Sequence, residues 1–134
     1  MAIDYGTKRV GIAVTDPLQI IATALDTVHS QDIEQYLSKY TAQEEVSTFI
    51  VGMPKNLQNE ATHSTGHVVG FIRKLKKQYP HIPVVEIDER FTSKIAFQTM
   101  IESGISKKKR ADKGTIDKLS ATVMLQSYLE NNAL

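Results

Sequence analysis

The chain has no cysteine. Disulfides and thiolate zinc sites are therefore excluded, and a cytoplasmic location is the expectation. Long apolar runs are missing as well. None approaches the roughly 20 residues of a membrane span, and the N-terminus lacks the apolar core of a secretory signal. No membrane partner is expected. Neither sign of charge is in excess: the formal net charge is +1, so the whole-molecule field exerts no pull toward nucleic acid. Internal repeats and low-complexity tracts are absent, and so is an aromatic ladder for stacking single strands. The histidines form no metal set. His63 and His67 share a helical spacing, but zinc needs further ligands that the sequence does not supply nearby.

What is present is a globular composition. Of 134 residues, 41% are hydrophobic and 23% charged, enough to bury a core in a single domain spanning 1–134. The one local bias is Lys107-Lys108-Lys109-Arg110, a basic segment in a near-neutral chain.

Periodicity orders the chain as βββαβαβαα. Residues 1–5 and 9–15 read as strands, the second alternating Val10, Ile12 and Val14 with the small Gly11 and Ala13. Residues 19–28 suit a third strand after Asp16-Pro17. Ser30 is placed to cap a helix whose apolar face is Ile33, Tyr36, Leu37 and Tyr40. Residues 47–51 form a short β-branched run closed by Gly52 and Pro54. Val68, Val69, Phe71, Ile72 and Leu75 mark a second helix, and residues 84–87 a fifth strand. Thr92 can cap a third helix that Gly104 stops, and a last helix runs from about 115 to 129. Consecutive strands followed by alternating helices and strands give an α/β chain: an antiparallel meander joined to parallel crossovers.

Asp4 is the residue that asks for an explanation, because a carboxylate inside an apolar strand is costly to bury unless it is paired or binds a metal. Glu89 sits just past the fifth strand. Asp117 falls in the first turn of the last helix, on the stripe of Ala121, Met124 and Tyr128, where the helix dipole favours an anion. Two strand ends and one helix start can bring these carboxylates to one sheet edge. Hard oxygen ligands of that kind suit Mg²⁺ or Mn²⁺, and one or two such ions support phosphodiester hydrolysis. Each acid also has a plainer reading. Asp4 can be a turn residue, Asp117 a first-turn helix acid, and Glu89 a solvated surface acid.

Four motifs raise the odds of the first reading. Residues 4–17, Asp-Tyr-Gly-Thr-Lys-Arg-Val-Gly-Ile-Ala-Val-Thr-Asp-Pro, resemble the opening motif of the YqgF/RuvX family of Holliday junction resolvase-like proteins and pre-16S rRNA nucleases. Val51-Gly52-Met53-Pro54 resembles its strand-to-loop motif. Asp88-Glu89-Arg90-Phe91-Thr92-Ser93 resembles its Asp-Glu-Arg motif. Lys107 to Arg110, then Asp117 to Thr122 with Leu125-Gln126, resemble its basic loop and final helix.

The resemblance spans nearly the whole chain in order. It implies a ribonuclease-H-like fold, a five-stranded mixed sheet with helices on both faces. It also implies catalytic, metal-binding acids at Asp4, Glu89 and Asp117. Thr7, Lys8 and Arg9 then become candidate phosphate contacts, as do Arg90 and the basic run Lys107, Lys108, Lys109 and Arg110. Tyr5 and Phe91 read as packing residues.

The function expected is a metal-dependent nuclease acting on structured nucleic acid. Maturation of the 5′ end of pre-16S rRNA is favoured over junction resolution on branched DNA, and a weak homodimer is admitted. A binding module without catalysis is the alternative, since fold does not fix function. An actin-like ATPase reading of Asp4-Tyr5-Gly6-Thr7 fails for want of a second domain around the nucleotide.

Overall fold

The computed structural model describes residues 1–6, 8–16, 18, 21–53, 65–88 and 113–132. Within them lie strands β1 (Ala2–Tyr5), β2 (Arg9–Thr15) and β3 (Ala22–His29), helix α1 (Ile33–Gln43), strand β4 (Phe49–Met53), helix α2 (Thr65–Gln78), strand β5 (Val84–Asp88) and helix α3 (Lys113–Asn132). The helix expected between Thr92 and Gly104 lies outside the described residues.

The strands form one sheet in the order β3-β2-β1-β4-β5. β1 is central. It pairs antiparallel with β2 and parallel with β4, and β5 pairs parallel with β4. The carboxyl ends of β1, β4 and β5 therefore share one edge, where open α/β sheets bind their ligands.

Strand alternation divides the sheet into two unlike faces. Ile3, Val10, Ile12, Phe49 and Val51 pack with Ile33 and Leu37 of α1 and with Val68, Phe71, Ile72 and Leu75 of α2. The opposite face is built from Ala2, Ala13 and Ile50, covered by Ala121, Met124 and Leu125 of α3. Small residues on β1 and β2 let α3 lie close over the sheet. Helices thus cover both faces, as a ribonuclease-H-like fold requires.

Several element boundaries move for visible reasons. β3 begins at Ala22, not 19, because Asp16 holds the preceding turn: its carboxylate accepts from the Leu18 N–H at 3.2 Å and the Ile21 N–H at 2.8 Å. α1 begins at Ile33 with Asp32, not Ser30, at its cap. The Ser30 N–H donates to the Lys8 carbonyl at 3.0 Å, and the Asp32 N–H to the His29 carbonyl at 2.9 Å. A turn therefore separates Ser30 from the helix. β4 runs two residues later than expected, to Met53. α3 starts at Lys113, which puts Asp117 beyond its first turn. The helix-dipole argument for Asp117 is weakened accordingly, because that effect fades within the first turn.

Candidate active site at the carboxyl edge of the sheet

Asp4 is the third residue of the four-residue central strand and is half-buried. It alternates with Ile3 and Tyr5, which pack toward α1 and α2, and shares parity with Ala2, which packs against α3. Asp4 therefore stands on the α3 face, near the carboxyl end of β1.

Its neighbours in the row are both glycines. On β2 it pairs with Gly11. On β4, one step beyond the Ile3–Val51 pairing, stands Gly52, itself paired with Ile87 of β5. Gly11 shares parity with Ala13, and Gly52 with Ile50, so both belong to the α3 face. Within the sheet the carboxylate is thus flanked by two positions without side chains. The sequence pattern gave Gly11 only a place in the β2 alternation and Gly52 only the close of the β4 run, which instead continues through it to Met53. Their parity with Ala13 and Ile50 was the available signal.

Contacts near Ala121 and Gln126 give the direction of helix α3. Near its far end the Gln126 Oε1 accepts from the Ala22 N–H at 3.1 Å, and Ala22 pairs with Thr15 at the end of β2. One and a half turns earlier, Ala121 packs with Ala2 and Ala13. The helix therefore runs alongside β2, its first residues toward the Asp4 end. From Ala121 to Asp117 is about 6 Å along the helix axis. From Ala13 to Gly11, or from Ala2 to Asp4, is about 6.6 Å along the strand in the same direction. The turn of α3 that carries Asp117 is level with Asp4 on the face they share.

Two of the expected basic contacts are described. Arg9 opens β2 with the parity of Gly11 and Ala13, which places it on the α3 face, a diagonal neighbour of Asp4. Lys8 lies exposed in the turn between β1 and β2. The turn is tight: the Gly6 N–H donates to the Arg9 carbonyl at 2.9 Å. A Cβ at Gly6 would stand 2.7 Å from that same oxygen.

Thr7, Glu89, Arg90, Lys107, Lys108, Lys109 and Arg110 lie outside the described residues, as does the side chain of Asp117. Among the described residues no three acidic or histidine side chains form a metal-binding group. A cavity of about 490 Å³ lined by Met1, Thr15, Asp16 and Glu44 lies at the opposite end of β2 from Gly11 and takes no part in this site.

A central parallel–antiparallel sheet, helices on both faces and an acid at the end of the central strand define the chain as a ribonuclease-H-like protein. It matches the RuvX family, described as Holliday junction resolvase, over residues 1–131, and belongs to that family. It is 47% identical over 131 residues to a protein of Bacteroides thetaiotaomicron named "Putative pre-16S rRNA nuclease", covering 98% of this chain and 95% of that one. Proteins of the same name in Parabacteroides distasonis and Flavobacterium johnsoniae are 49% and 47% identical over 131 residues, covering 98% of this chain and 94% and 95% of theirs. No helix among the described residues is long and apolar enough to cross a membrane.

Proposed function

We propose that this chain is a metal-dependent endonuclease that hydrolyses phosphodiester bonds in structured RNA, and that it matures the 5′ end of pre-16S rRNA in the cytoplasm. The observation that carries the reading is the placement of Asp4. It sits at the carboxyl end of the central strand, between Gly11 and Gly52, level with the α3 turn that bears Asp117. Glu89 completes the proposed set. In the sequence it directly follows Asp88, the last residue of β5.

Carboxylate oxygens beside residues without side chains fit a hard, hydrated divalent cation. Asp4, Glu89 and Asp117 would hold Mg²⁺ or Mn²⁺, as one ion or two; when bound, such ions activate a water and stabilise the leaving oxygen. The chain's own residues do the positioning. Arg9 and Lys8 in the hairpin, with Thr7, hold the phosphate over the carboxylates, and Arg90 adds a planar fork. Lys107 to Arg110 track the backbone of the substrate without reading its sequence. Residues 1–134 act as one domain in this proposal. Weak self-association belongs to it too, and sedimentation at rising protein concentration reads that directly.

The family description favours a second substrate, a branched DNA junction. Incubating the purified chain with Mn²⁺ and either a 5′-extended 16S RNA leader or a four-way DNA junction separates the two. Asp4→Asn conserves shape, so the melting temperature should hold while cleavage falls by on the order of 100-fold or more, the scale seen when one electrostatic stabiliser is removed. Wild-type cleavage by Asp4→Asn would remove Asp4 from the reaction.

A further inference from the structure

On the other face of the sheet, at the same end as Asp4, a groove of about 380 Å³ opens between the start of α1 and the first turns of α2. Tyr5, the residue after Asp4, forms part of its floor. One face of the Tyr5 ring stacks on Phe71 of α2, with centroids 4.5 Å apart and planes inclined by 14°. Phe71 is buried, whereas Tyr5 is only half-buried and borders the cavity. Both rings line the groove, and Tyr5 is the more exposed of the two.

The groove has room because α2 has glycine where it lines it. A Cβ at Gly66 or at Gly70 would meet nothing within 4 Å. Glycine inside a helix is destabilising relative to almost any other residue. Gly70, the sixth residue of α2, carries that cost with no close contact that demands it, so what it preserves is space; Gly66 stands exposed in the first turn.

The polar groups at the rim suit the edge of a base better than a phosphate. Glu34 lines the groove, and a phosphate would meet its negative charge. Lys74, the cation that could offset this, is paired with Glu34 at 3.2 Å. A nucleobase instead offers N–H donors to Glu34, and acceptors to Gln31 and His67. An aromatic floor with a few polar groups at its margin is how proteins hold an unstacked base. We propose that this groove takes an unpaired nucleobase of the substrate strand, stacked on Tyr5, while the strand passes around the shared edge of the sheet to lay the scissile phosphate over Asp4. The proposal rests on the nuclease reading above. It adds that Tyr5, Gly66 and Gly70 select substrates with an unpaired nucleotide beside the cut.

The test uses 16S leader RNAs carrying 2-aminopurine at single positions stepped along the cleavage region, together with the full chain and its Gly70→Leu variant. With wild type, fluorescence should be quenched at one position next to the cut. An abasic nucleotide there should raise KM about tenfold, as expected for the loss of one stacked base. Gly70→Leu should melt no lower than wild type, lose the quenching, raise KM to a similar degree, and show no further loss on the abasic RNA. Gly66→Leu is the second filling variant, should Gly70→Leu melt early. Equal KM for wild type and a stably folded filling variant on the intact RNA, or no quenching at any position, overturns the groove assignment. Absence of cleavage by wild type would instead overturn the nuclease reading, which sets the two failures apart.

Discussion

At the residue scale, Asp4 sets the requirement: a carboxylate half-buried in the central strand costs free energy unless a cation or a polar partner meets it. An acid in an apolar strand followed by a glycine turn was conspicuous, and the structure puts it on the central strand near the carboxyl edge. Which face it would occupy was not legible. That depended on the parity of Ala2 and Ile3, and both are apolar, so only packing against α3 or α1 and α2 distinguishes them. Tyr79 was silent in the sequence. It packs on Phe49 with ring centroids 5.5 Å apart. Its hydroxyl is buried with no hydrogen-bond partner among the described residues. A buried hydroxyl without a partner costs more than it returns. Tyr79→Phe should therefore stabilise the fold by about 1 kcal/mol, which thermal denaturation would read as a rise of roughly 3 °C.

At the element scale, the β1–β2 hairpin was read to its boundaries, because Val10, Ile12 and Val14 alternate with glycine and alanine and the turn is marked by Gly6. The edges of β3 and α1 were not, since they are set by the Asp16 carboxylate and the Ser30 and Asp32 amides, contacts that periodicity does not encode. The Gly6 turn also fixes where Arg9 stands relative to Asp4. Gly6→Ala must push a Cβ against the Arg9 carbonyl, so it should cost about 1–3 kcal/mol in urea denaturation and lower kcat more than it raises KM.

The start of β1 has its own signature. Met1 is buried, its ammonium donates to the Thr48 carbonyl at 3.0 Å, and burial lowers its pKa from 8.0 to about 6. Between those values the unfolded chain holds the proton and the folded chain does not, so stability rises with pH from about 6 to 8. The rise is of order 2–3 kcal/mol for a shift of this size. Urea denaturation at pH 5.5 and 8.5 should show it, and an N-acetylated chain, with no charge at that position, should lack it.

At the scale of the molecule, the order of the described elements, the mixed sheet and the two helical layers followed from pattern and from resemblance. The bridge from fold to site did not. Asp4 and Asp117 lie more than a hundred residues apart in sequence. The anchoring of α3, by Gln126 on Ala22 and by Ala121 beside Ala2 and Ala13 among its contacts, brings the two level. In the proposed function and the inference built on it, the two faces divide the work at a shared edge: Asp4 and Arg9 stand on the α3 face, and the Tyr5 groove opens on the α2 face.

The central claim is that Asp4 and Asp117 meet on one divalent ion at this edge. A crystal structure of the chain grown with Mn²⁺, with the metal located by its anomalous scattering, tests it most directly. The account predicts Mn²⁺ within about 2.0–2.3 Å of carboxylate oxygens from Asp4 and Asp117, with Glu89 completing the set. Mn²⁺ bound elsewhere, with Asp4 contributing no ligand, would contradict it.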